Sequence, residues 1–131
     1  MKRLLLVSVI ALLAGCAQTS PEHHAHHYAY QRSETLNGNF TNAREADYRL
    51  NLPNFQKMYE MGKADRAAGK PASYAKSFTD ALMNQAEHST INTSYTFAPQ
   101  APVETNVDDL KNARLYFSSL AETYLDGYEG R

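Results

Sequence analysis

One cysteine, Cys16, occurs in 131 residues, so the chain can form no internal disulfide. Aliphatic side chains are scarce as well. From residue 16 onward, Leu, Ile, Val and Phe together make up 16 of 116 residues, a share that raises the question of disorder. A small net charge, nine tyrosines and three methionines in the same stretch argue against full disorder. Positive charge is not in excess. Residues 16–131 hold 11 basic and 14 acidic side chains, a net of about −3 with histidine neutral. Such a balance excludes the basic face of a nucleic-acid binder and electrostatic docking on anionic lipid. G-x-S-x-G, H-E-x-x-H and a phosphate-cradling glycine loop are all missing, and beyond residue 30 the sole histidine is His88. These absences point to a protein that is not an enzyme and needs no cofactor.

Long apolar runs are absent too, except at the start. Lys2 and Arg3 precede Leu4–Leu13, which is apolar but for Ser8. Ten residues of helix span about 15 Å, half a bilayer core, which suits the centre of a secretion signal better than a membrane span. Leu13-Ala14-Gly15-Cys16 follows. It looks like the lipobox of bacterial lipoproteins. That resemblance implies cleavage after Gly15, a diacylglyceryl group on the Cys16 sulfur and acylation of the new amino terminus. Two or more chains anchor firmly, because each buried methylene contributes about 0.8 kcal/mol. Ala17 stands where an aspartate would resemble an inner-membrane retention signal, so the expected location is the outer membrane, on its periplasmic face.

The expected organisation is a removed signal over 1–15, a lipid-anchored His-rich tether over 16–30 and an all-α domain of three to four helices over 31–131. The tether carries Pro21 and His23-His24-Ala25-His26-His27 with no apolar period, and its r.m.s. reach is about 20 Å. Leu36, Phe40, Ala43, Asp47 and Leu50 share a helical face, interrupted by the Asn37-Gly38-Asn39 turn signal, so the first helix is expected after Asn39 and to break at Leu52-Pro53. A second helix runs from Pro53 to Ala68 on Phe55, Met58, Tyr59 and Gly62, and stops at Gly69. A third covers Ala72 to His88 with Tyr74, Ser77, Phe78, Ala81, Leu82 and Gln85 in one stripe and Ser73 as cap. Ile91, Thr93, Tyr95 and Phe97 alternate as an extended segment would, with no second strand evident, and 98–102 reads as a stiff linker; together they place an extended, Pro-containing segment at about 90–105. The last helix, about 106–127, is capped at Thr105 or Asn106 and presents Leu110, Ala113, Phe117, Leu120, Tyr124 and Gly127 in a heptad-like seam.

Two local patterns bear on function. The histidine run offers good ligands for zinc, nickel and copper, but a flexible tether supplies no fixed geometry, so no metal site is assigned. Tyr59-x-x-Gly62 is echoed by Tyr124-x-x-Gly127. A helical glycine costs about 1 kcal/mol relative to alanine, a cost that close approach of two helices explains. The competing reading makes Tyr124, Tyr128 and Arg131 an exposed aromatic and arginine patch for a protein partner.

Taken together, the signal, Thr19-Ser20-Pro21-Glu22-His23, the run Met58 to Gly69 and the ending Asp126-Gly127-Tyr128-Glu129-Gly130-Arg131 resemble the entry-exclusion lipoprotein family, the second exclusion protein of small mobilizable plasmids and its chromosomal relatives. The resemblance implies a non-catalytic envelope protein that hinders entry of related mobile DNA. A structural accessory lipoprotein of an envelope complex, or a metal-buffering one, are the other readings the residues leave open.

Overall fold

In the computed structural model, the described residues are 19–35, 41–88, 94–98, 101–104 and 109–131. They form an all-α domain of four helices: α1 (Ser20–Thr35), α2 (Thr41–Ala67), α3 (Ala72–His88) and α4 (Asp109–Glu129). A short antiparallel ribbon, β1 (Ser94–Ala98) with β2 (Ala101–Glu104), lies between α3 and α4 in the chain. None of the described helices is long and apolar enough to cross a membrane.

The contacts fix the directions. Arg32 meets Asp47 and Tyr28 meets Phe55, so α1 and α2 are antiparallel. Asn54 bonds Tyr116 while Arg66 reaches Tyr128, so α2 and α4 run parallel. Glu87 meets Arg114 and Phe78 meets Tyr124, so α3 runs against α4. Helix α4 is the central element and packs on all three others.

The core has two centres joined by Met58. One gathers Ala25, Tyr28, Phe55 and Leu120, with Tyr116 and Phe117 against them. The other gathers Ala75, Tyr124 and Tyr128, with Met61 and Phe78 alongside. Aromatic rings replace the missing aliphatics: Tyr28 and Tyr116 centroids lie 5.2 Å apart, within the range where tilted pairs attract, and Phe78 and Tyr124 are closer still at 4.3 Å.

Several expectations are corrected. The segment read as a flexible tether is, from Ser20, a helix with Pro21, Ala25, Tyr28, Ala29 and Arg32 buried. Its start carries one arm of a capping box: the Thr19 amide donates to the Glu22 carboxylate at 3.0 Å, which holds that carboxyl below its ordinary value. Pro53 does not break α2. It sits at an exposed position while Asp47 and Phe55, on either side along the chain, are buried by tertiary packing that offsets the lost backbone bond. The face of α2 also differs from expectation. Leu50 is 73% exposed and Asp47 is buried against Arg32. In α3 the inward stripe is Ala75, Phe78, Leu82 and Ala86; Tyr74, Ser77, Ala81 and Gln85 face out. Ser73 lies inside α3, whose first amides bond to the Pro71 carbonyl. Leu110 is 38% exposed and does not join the seam of α4. The extended segment does find a partner strand, in residues read as a linker; Pro102 fits there because each strand of a two-stranded ribbon is an edge. Leu36, Phe40, Ile91, Thr93, Thr105 and Asn106 lie outside the described residues.

Candidate functional site

The six residues singled out from the two echoing runs meet at one place, the α2–α4 crossing. Gly62 lies against the Tyr124 carbonyl, and a Cβ added there would come within 2.7 Å of the Tyr128 amide nitrogen. Gly127 lies against the Tyr59 carbonyl, and its added Cβ would come within 2.8 Å of that carbonyl carbon. Each glycine therefore receives the backbone of the tyrosine from the other run. The echo encodes a reciprocal contact between parallel helices. Tyr124 and Tyr128 are buried at 0% and 5% exposure, so they are not an exposed partner patch. Of that patch only the Arg131 side chain is largely exposed.

Around this crossing the tyrosine hydroxyls knit one end of the bundle. Tyr124 Oη donates to Asp65 Oδ2 at 2.8 Å, and Lys70 Nζ donates to Asp65 Oδ1 at 2.7 Å. Lys70 Nζ also reaches Tyr74 Oη at 3.0 Å, while Tyr128 Oη donates to the Lys70 carbonyl at 2.6 Å. Tyr59 Oη donates to the Arg131 carbonyl at 2.9 Å. Hydrogen bonds from Lys70 and then Tyr124 hold the Asp65 carboxyl below its ordinary value. Burial first, and Asp65 second, push the Tyr124 hydroxyl far above the ordinary tyrosine range. Helices α2 and α4 close alike here. Gly69 and Gly130 take φ of +75° and +79°, and the next amide returns to the carbonyl five residues back, Asp65 or Asp126.

Helix α1 docks on this same end. Ser20 Oγ donates to Asp126 Oδ2 at 2.7 Å, and His24 Nε2 lies 3.0 Å from the same oxygen. Arg131 Nη2 is 3.1 Å from Asp126 Oδ1. Burial opposes ionisation of Asp126, but the Ser20 and His24 hydrogen bonds with Arg131 outweigh it and lower the carboxyl. Beside this junction a cavity of about 360 Å³ opens between α1 and α2, lined by His23, His26, His27, Tyr30, Arg44 and Glu45. Its walls are fixed. His26 stacks on Tyr48 at 3.7 Å, Arg44 lies over the Tyr30 ring at 4.6 Å, and Arg44 Nε donates to Ser33 Oγ. His23, His26 and His27 thus form the wall of a groove, not a solvated spacer. His23 and His27 are parallel, one helical turn apart at 6.4 Å, yet among the described residues no three His, Cys, Asp or Glu side chains are placed so that together they could hold a metal ion.

The sequence does not mark the groove, because its histidines lie in a stretch without apolar period. The signal was present in Thr19-x-x-Glu22 and in the spacing Pro21, Ala25, Tyr28, Arg32, whose small and mixed residues do not look like an apolar stripe. Gly15 and Cys16 lie outside the described residues. Comparison with family models, curated proteins and solved structures finds no match for this chain.

Proposed function

We propose that the chain is a non-enzymatic bacterial lipoprotein of the entry-exclusion type. In this reading it is anchored through lipid on Cys16 at the periplasmic face of the outer membrane and binds another envelope protein. The observation that carries the reading is Leu13-Ala14-Gly15-Cys16 directly behind the apolar run Leu4–Leu13. The likeness of the Met58–Gly69 and Asp126–Arg131 runs to the exclusion family supports the finer role. The groove between α1 and α2 supports a protein partner: it combines tyrosine, arginine and histidine around a concave surface, residue types that bind by stacking and charge-assisted hydrogen bonds. Tyr124 and Tyr128 no longer serve that purpose, and the exposed Tyr30 replaces them as the site from which to capture a partner.

The test is uptake of a mobilizable plasmid by recipient cells with and without the gene. Reduced uptake supports the exclusion role, and equal uptake removes it. A photoreactive residue in place of Tyr30 should capture an envelope protein in the same cells.

A further inference from the structure

Helix α1 starts at Ser20, four residues after Cys16. We infer that the end of the bundle formed by the α2–α3 turn and the C-terminal end of α4 is a lipid-facing surface resting among phospholipid headgroups; this rests on lipidation at Cys16. Four virtual bonds separate the Cα atoms of Cys16 and Ser20, so they lie at most about 15 Å apart. A polar headgroup layer is itself roughly 5–8 Å thick. A chain that short leaves no room for the stand-off that a flexible tether to residue 30 would give.

Ser20 fixes which end is near. It bonds Asp126 of α4, and Tyr128 bonds the Lys70 carbonyl in the α2–α3 turn. That turn is exposed, and Ala67, Ala68, Gly69, Pro71 and Ala72 make it small, with Lys70 within it and Arg66 at its edge as the charged side chains. It is framed by tyrosine–cation pairs: Lys63 Nζ is 5.6 Å from the Tyr59 ring centre, and Lys70 Nζ is 4.1 Å from that of Tyr74, which is 41% exposed. Tyrosines, and lysines with long apolar stems, are the side chains that settle at a headgroup boundary. Lys63, Lys70 and Arg131 are paired with Glu60, Asp65 and Asp126, and Arg66 lies over the Tyr128 ring at 5.2 Å, so most of the positive charge here is balanced and the surface does not depend on anionic lipid.

The test uses the lipidated chain purified from membranes and placed in vesicles of phosphatidylethanolamine and phosphatidylglycerol carrying a headgroup nitroxide. Fluorophores are attached in turn to Ala68→Cys, Ala81→Cys and Lys111→Cys, three exposed positions at the near end, the flank and the far end. Quenching several-fold stronger at Ala68 than at the other two is expected. Equal quenching at Ala68 and Ala81 means the bundle lies on its side, and stronger quenching at Lys111 means it is inverted; either overturns the inference. Hydrogen exchange on the unlabelled protein gives an independent readout, with vesicles slowing residues 66–72 and not 109–114. The mass of the purified chain is read in the same experiment. An unacylated Cys16 removes the lipoprotein reading and this one with it, whereas an acylated Cys16 with uniform quenching overturns this one alone.

Discussion

Gly127 lies against the carbonyl of Tyr59, at a spot where a methyl group would meet backbone and not a movable side chain. Gly62 makes the mirror contact with Tyr124. Alanine favours a helix over glycine by about 1 kcal/mol, so propensity alone predicts that Gly→Ala stabilises. Overpacking against backbone costs about 1–3 kcal/mol or more and should win. Gly62→Ala and Gly127→Ala are each expected to lower the urea midpoint. The double variant should cost less than the sum, because the first methyl already parts the helices. A rise in midpoint for either single variant contradicts the close-approach account.

The Arg32–Asp47 pair ties α1 to α2, with N–O 3.1 Å and both side chains buried. Burial raises the Asp47 carboxyl, and the guanidinium only partly offsets it. Asp47→Ala leaves the arginine buried without its carboxylate and is expected to cost about 3–5 kcal/mol. Replacing both residues by hydrophobic side chains of similar volume should restore much of that loss. Denaturant unfolding of the three proteins checks the ordering; equal stability of Asp47→Ala and the parent refutes it.

Stability should fall in acid. Asp65 and Asp126 have folded-state values below their ordinary ones, so their contribution is complete above about pH 4 and is lost as pH falls through the folded values. Asp47, being raised, acts in the opposite sense and softens the decline. Tyr124 adds a second limit at the alkaline side. Its raised value means that its contribution is complete below about pH 10 and is lost above it, where the unfolded tyrosine ionises. Asp65→Asn should flatten the acid limb of a midpoint-against-pH curve, and Tyr124→Phe the alkaline limb. Unchanged limbs would mean that other groups govern both.

Much of α4 and the Gly–Tyr crossing were readable, because Ala113, Phe117, Leu120, Tyr124 and Gly127 keep a heptad-like spacing and glycine in a helix is costly. Helix α1 was not, since its inward positions are Pro21, Ala25, Tyr28 and Arg32, a set that hydropathy does not mark. The face of α3 is obscured in the sequence for the opposite reason. Tyr74 is large and aromatic, yet it stays outside under Lys70, while Ala75 is buried because it lets α3 approach α4. Asp47 and Leu50 exchange their expected places because a buried ion pair with α1 orients that turn of α2, a long-range fact absent from local pattern. The histidine groove depends on α1 and so remained hidden with it.

The account turns on Cys16, now understood as lying four residues before a docked helix and not at the start of a long tether. Its most direct test is the intact mass of the protein extracted from cell membranes with detergent. The account predicts a chain that begins at Cys16 and carries three acyl chains, and a Cys16→Ser protein that keeps its helical spectrum but leaves the membrane fraction. A mass that corresponds to an unmodified Cys16, or a Cys16→Ser protein that remains on the membrane, would contradict it.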